Sequence, residues 1–143
     1  MRARLLLLLV LVAAGCGGAH HRQPVAGTDG KAVLRDVYDG RLDRDWSCGA
    51  LRAALRRLPQ DPPVYSKLPE IIGAAAARTC DDELTRLADG ATRSEVRSAL
   101  GRPTAGERCW RFEWPSDKSS PVDGARICFS DGRADTIQTA VHG

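Results

Sequence analysis

The sequence predicts an α+β fold: a small N-terminal helical region, then two helices packed on a three-stranded antiparallel sheet in ααβββ order. Three observations carry this. Apolar residues recur at helical spacing as far as Leu100, and from Cys109 onward they alternate with period two. Gly101 and Pro103 stand at the switch, where one accepts a left-handed helix end and the other forbids continuation. Asp131-Gly132 separates two alternating segments, as a two-residue hairpin turn does.

The chain begins MRARLLLLLVLVAAGC. Arg2 and Arg4 form a positive n-region, Leu5 to Val12 are an unbroken apolar stretch, and Ala13, Ala14 and Gly15 are small. A bilayer-spanning helix needs about 20 apolar residues. This run is shorter, so residues 1–15 read as a cleaved signal peptide. Small residues directly before a cysteine resemble the bacterial lipobox, with Ala13 where Leu is usual. The resemblance implies cleavage between Gly15 and Cys16 and lipidation of Cys16. Gly17, not being Asp, would send the product to the outer membrane in a host that has one.

Loss of the leader removes two arginines. The 21 basic residues fall to 19 against 18 acidic, which leaves no electrostatic case for nucleic acid. Hydrophobic and charged shares of 43% and 27% are ordinary for a globular protein.

Residues 16–30 are Gly-rich and polar and read as a lipidated tether. His20 and His21 lie on it without other fixed ligands, so no metal site is expected. Residues 31–80 read as a disulfide-stapled helical region. Val33, Leu34 and Val37 mark a short helix ended by Asp39-Gly40. Leu51, Ala54, Leu55 and Leu58 mark a second, with Arg52, Arg56 and Arg57 expected on the opposite, solvent side. Ser47 or Asp45 can cap it and Pro59 follows it. After a Pro-rich loop, Ile71, Ile72, Ala75 and Ala76 indicate a third helix to about Arg78.

Residues 81–143 read as the ααβββ unit. Its first helix is expected to carry Leu84, Leu87 and Ala88, with Asp81-Asp82-Glu83 at its N-terminus. Thr92-Arg93-Ser94-Glu95 is a capping box that opens the next helix, whose buried face is Val96, Ala99 and Leu100. In the first strand Trp110, Phe112 and Trp114 share one face, and Cys109, Arg111 and Glu113 the other. Residues 115–124 read as a long polar loop. Ile127 and Phe129 share the inner face of the second strand, and Ile137 and Val141 that of a third over about 134–141.

With Cys16 lipidated, Cys48, Cys80, Cys109 and Cys128 remain, an even number in an exported chain. Three pairings are possible. Cys48 with Cys80 and Cys109 with Cys128 is favoured, because each pair then lies within one region. No C-x-x-C and no flanking histidine points to metal or redox chemistry instead.

The stretch LADGATRSEVRSALGRPTAGERCWRFEW, followed by a strand, a DG turn and a last strand, resembles the BamE-like (SmpA/OmlA) lipoprotein domain. The matching residues are Gly90, Thr92, Val96, Leu100, Gly101, Pro103, Trp110 and Phe112, and the resemblance covers about residues 81–141. Ala91 stands where the family usually has Met. The resemblance implies a membrane-anchored, non-catalytic protein-interaction module in the cell envelope, with an envelope protein as partner and no cofactor. The candidate contact surfaces are the 115–124 loop, the Gly90, Ala91 and Thr92 connection, and any exposed part of the aromatic strand. Trp46 and Tyr65, in or near loops, would add to such a surface if exposed. The alternative is a secreted inhibitor resembling the β-lactamase-inhibitory proteins, which grip an enzyme through sheet aromatics. An enzyme is not expected. No G-x-S-x-G, H-E-x-x-H or phosphate loop occurs, and the three histidines, His20, His21 and His142, lie at the margins.

Overall fold

The computed structural model describes residues 29–59, 67–118 and 121–141. The leader, Cys16, His20, His21, Tyr65 and His142 lie outside them. Helix α1 spans Gly30–Asp36 and continues as a 3-10 turn over Val37–Asp39. Helices α2 (Cys48–Leu55), α3 (Leu68–Arg86) and α4 (Arg93–Leu100) follow. Strands β1 (Cys109–Glu113), β2 (Val122–Ser130) and β3 (Arg133–Val141) form an antiparallel sheet in the order β1-β2-β3.

The fold begins earlier in the chain than expected. The Asp29 carboxylate accepts the N–H of Lys31 at 3.0 Å and caps α1, so Asp29 and Gly30 belong to the fold. Gly30 lies against α2, where an added Cβ would sit 2.5 Å from the Ala53 carbonyl carbon and the Ala54 nitrogen. Gly40, at φ 85°, ends the 3-10 turn as Asp39-Gly40 predicts. The loop after it is held by Asp36. Its carboxylate accepts the Trp46 indole N–H at 2.7 Å and the main-chain N–H groups of Asp43 and Arg44. Trp46 is therefore a buried core residue, not an exposed contact.

Helix α2 starts at Ser47, whose hydroxyl accepts the Ala50 N–H. Every residue from Cys48 to Ala54 is buried, because α1, α3 and α4 all pack around it. Gly49, Ala50, Ala53 and Ala54 keep it thin enough for that. The expectation that Arg52 faces solvent fails: a helix enclosed on three sides has no such face, and Arg52 is 2% exposed.

The third and fourth expected helices are one. Helix α3 runs unbroken from Leu68 to Arg86, because from Ala74 to Arg86 the sequence contains no Gly or Pro to stop it. Asp81-Asp82-Glu83 therefore lies inside α3, not at a helix N-terminus. The expected boundary between residues 80 and 81 falls within this helix, and a single apolar core joins residues on both sides of it.

The capping box of α4 forms as predicted. The Thr92 hydroxyl accepts the Glu95 N–H at 3.2 Å, and the Glu95 carboxylate accepts the Thr92 N–H at 2.7 Å. These bonds hold the Glu95 carboxyl below its ordinary value. Gly101 ends the helix at φ 77°, with ψ −158° instead of the left-handed helical value. An added Cβ there would meet the Gly49 Cα at 2.6 Å. Gly101→Ala is accordingly expected to destabilise the fold by about 3 kcal/mol, through backbone strain and overpacking together. A urea midpoint shift corresponding to less than about 1 kcal/mol would rule out the close approach of α2 and α4.

Asp131 and Gly132, at φ 51° and 79°, make the β2–β3 hairpin turn. Strand β2 begins earlier than expected. Val122, Asp123 and Gly124, assigned to the polar loop by their sequence, belong instead to the strand: Val122 pairs with Val141 and Gly124 with Ala140, and Asp123 is the extra residue of a bulge between them. The inner face carries Trp110, Phe112, Trp114, Ala125, Ile127 and Phe129, all buried. Trp110 meets Phe129 edge-on at 4.7 Å, and the Arg93 guanidinium lies 4.3 Å from the Phe129 ring centroid. The aromatic strand thus packs the core and exposes none of its three rings.

Two disulfides join Cys48 to Cys80, between α2 and α3, and Cys109 to Cys128, across β1 and β2. The second pair occupies directly opposed positions, with Cα atoms 3.9 Å apart. Disulfides persist in oxidising compartments outside the cytoplasm, and both bridges fit that setting.

Candidate functional site

The residues matching the family signature form a structural set. Thr92 caps α4, Val96 and Leu100 are its buried face, and Gly101 is the contact with α2. Trp110 and Phe112 are core, and Pro103 is partly buried in the connection to β1. Gly90 exchanges main-chain hydrogen bonds with β3: its N–H donates to the Ala134 carbonyl, and the Ala134 N–H donates to that of Ala91, both at 2.8 Å. The connection of Gly90, Ala91 and Thr92 is therefore engaged within the fold. Of the expected contact surfaces, the 115–124 segment remains.

Pro115, Ser116 and Asp123 of that segment wall a shallow groove on the outer face of the sheet, of about 690 Å³. Pro115 rests beside Gly73 of α3, and Arg78 of α3 pairs with Asp117 at 3.7 Å, which ties the loop to the helical layer. The floor is Gly124, where a Cβ would approach the Phe112 carbonyl oxygen at 2.4 Å. Along the groove the strand register sets Arg111 opposite Arg126, and Arg126 opposite Gln138. Both arginines are exposed, and among the described residues neither has a carboxylate within ion-pair distance. Like charges directly opposed across strands are destabilising, so this pair is suited to an anionic group brought from outside. Glu113, one step along the same face, makes the groove mixed rather than uniformly basic. The lining contains no histidine or cysteine.

A buried guanidinium holds the strand that carries Arg111. Arg52 reaches from α2 through the core and donates to the Glu113 carbonyl of β1 at 2.8 Å. It also donates to the carbonyls of Leu100, the last residue of α4, and of Arg102 just after it, and to the Thr104 hydroxyl at 3.2 Å. Its charge is spread over carbonyls at a helix C-terminus, where a cation is favoured, and over the Phe112 ring at 5.2 Å. Burial, with Arg56 nearby, lowers its pKa to about 10, so it remains a cation at neutral pH.

Glu83 is the second unusual ionisable group. One carboxylate oxygen accepts the Cys48 N–H at 3.4 Å, while the other is buried without a hydrogen-bond partner among the described residues. Burial raises its pKa to about 7 against the Cys48 hydrogen bond and Arg86, which lower it. A carboxyl whose folded pKa is raised binds its proton more tightly in the fold than in the unfolded chain. Its stabilisation is complete below about pH 4.5 and is lost as pH rises through about 7. Glu83→Gln is therefore expected to be more stable than the parent at pH 8 and to flatten stability between pH 5 and 8. Equal pH dependence of parent and variant in urea titrations would show that Glu83 does not cause it.

Among the described residues, no helix is long and apolar enough to cross a membrane, and no group of three or more His, Cys, Asp or Glu is placed to hold a metal ion. No family model matches the chain, and neither a curated protein nor a solved structure matches it.

Proposed function

We propose that this protein is a lipid-anchored envelope lipoprotein that acts as a non-catalytic protein-interaction module, resembling the BamE-like domains in plan. It presents the outer face of its sheet to an acidic segment of an envelope protein. The observation that carries the reading is the Arg111–Arg126 pair, opposed across β1 and β2 and left without carboxylates among the described residues. The leader and Cys16 support the anchor, and the two disulfides support an extracytoplasmic setting. The inhibitor reading loses its support, since the sheet aromatics that would grip an enzyme are buried in this chain's own core.

Two measurements test the proposal separately. Metabolic labelling with a fatty-acid probe should mark the full chain and fail to mark Cys16→Ser; equal labelling would refute anchoring at that thiol. Crosslinking in intact cells should capture an envelope partner through the groove. The double reversal Arg111→Glu with Arg126→Glu should abolish that capture while both disulfides still form. Capture that survives the reversal would refute the groove.

A further inference from the structure

The two edges of the sheet are treated differently. On β1, the Arg111 N–H donates to the Ala105 carbonyl at 2.8 Å and its carbonyl accepts the Thr104 N–H at 2.7 Å, so that edge is covered. The start of β3 is covered too, through Ala134 and the Gly90 and Ala91 connection. From Thr136 to Val141 nothing among the described residues pairs with the outer side of β3.

The ladder parity says which groups are free there. Because Arg111 turns its N–H and carbonyl outward, its neighbours Trp110 and Phe112 bond to Ile127 and Ala125 of β2. That leaves Gly124, Arg126 and Cys128 to bond to β3, through their register partners Ala140, Gln138 and Thr136. Ile137, Thr139 and Val141 then direct N–H and carbonyl to the open edge. Their side chains share the helix-side face, since Ile137 lies opposite buried Ile127 and Thr139 opposite buried Ala125. Val141 is 60% exposed, one of two large hydrophobic residues so exposed among the described residues. Open edges are usually guarded by charge, proline or a bulge. The stretch Thr-Ile-Gln-Thr-Ala-Val over 136–141 has no charge and no proline, and the two bulges of the β2–β3 ladder lie at its ends, one at Asp135 and one opposite Ala140 and Val141.

We infer that this edge pairs with the same edge of a second copy, antiparallel about a two-fold axis at Thr139, to give a continuous six-stranded sheet. The inference deepens the interaction-module reading by naming a partner. The choice of a second copy rests on self-complementarity. With Thr139 opposite Thr139, Ile137 of each copy meets Val141 of the other on the same face, which covers the exposed Val141. Gln138 meets Ala140 on the outer face. All three outward-facing residues find hydrogen-bond partners, and no charge confronts its like. A partner strand of other sequence would need no such match at every position. An interface of this length falls in the small class, so the dimer is weak, in the range of about 1 μM to 1 mM. It would be favoured when both copies share one membrane surface.

The test uses the full chain in detergent micelles, studied by sedimentation equilibrium across that concentration range. The parent should dimerise. Thr139→Lys and Thr139→Glu should each shift the dissociation constant at least tenfold toward monomer, because the axis sets like charges face to face. Mixing the two variants should restore dimers, now heterodimers. Formation of both disulfides and an unchanged circular dichroism spectrum show that the variants are folded. A parent that stays monomeric throughout overturns the inference. So does a dimer indifferent to either substitution, a mixture that is not rescued, or an edge found occupied by another polypeptide. Self-association with no capture of an envelope partner would leave this inference standing and remove only the heterologous partner.

Discussion

Replacing Arg52 by Met should cost about 3–5 kcal/mol of folding stability. Methionine matches the stem of the side chain and its apolar contacts but supplies no donors. The carbonyls of Leu100, Arg102 and Glu113 would then lose the guanidinium they share. A buried acceptor left unmade costs about 1–3 kcal/mol, and breaking a buried charged set costs more than the net worth of its bonds. Part of the loss is recoverable, because relaxation would admit water to the Arg102 and Thr104 end, where both residues are exposed. Arg52→Lys separates charge from geometry. A single ammonium keeps the cation but cannot fork to α4, β1 and Thr104 together, so it should recover less than half of the stability. Urea unfolding of both variants at unchanged slope measures this. A loss below about 1 kcal/mol for the Met variant would mean that the guanidinium is incidental. The effect reaches the groove as well. Arg52 binds the Glu113 carbonyl, one residue beyond Phe112 on the strand that carries Arg111, so Arg52→Met should loosen the wall of the candidate site before it unfolds the core.

The misplacement of Arg52 shows where sequence reading stops. Features written in local chemistry were legible: the capping box at Thr92 and Glu95, the stop at Gly101 and Pro103, the turn at Asp131-Gly132, and the period-two aromatics of β1. Each depends on a few neighbouring residues whose conformational preferences act in isolation. The burial of Arg52 depends instead on how many helices surround α2, and an arginine one step from Leu51 carries no mark of that. The continuity of α3 was legible in principle, since no breaker lies between Ala74 and Arg86, but the acidic run after Cys80 resembles a helix start. The Arg111–Arg126 pair was one step away. Joining Cys109 to Cys128 in an antiparallel ladder fixes every other partner on the two strands, and it sets 111 against 126. The open edge of β3 required knowing that the chain segments at Ala105 and Ala91 cover the rest, which no local pattern encodes.

Removing the Cys48–Cys80 bridge, as Cys48→Ala with Cys80→Ala, should destabilise the protein by about 4 kcal/mol. Removing Cys109–Cys128 should cost less. The bridges close sequence separations of 32 and 19 residues, and loop-closure entropy alone gives about 3.7 and 3.2 kcal/mol for them. The difference in what surrounds them widens this gap. Cys48 and Cys80 are both fully buried at the contact of α2 with α3, so the substitutions also remove core sulfur. Cys109 and Cys128 are only partly buried on the outer face, on strands already joined by a ladder. Besides the bridge, the N-terminal helices are held by the Arg52 hydrogen bonds and by a small apolar set. That set is Val33, Val37, Trp46, Leu51 and a few alanines, and small apolar inventories are where cross-links matter most. The first double variant should therefore lose α1 and α2 first, exposing the Trp46 indole and releasing it from Asp36. Tryptophan fluorescence would then report an early transition while the β-sheet signal in circular dichroism persists. Loss of both signals in a single step would instead mean that the bridge tightens a core already cooperative from α1 to β3. Losses that differ by only about 0.5 kcal/mol, the difference loop closure alone gives, would mean that the staple acts only on the unfolded chain, with no share in packing α2 against α3.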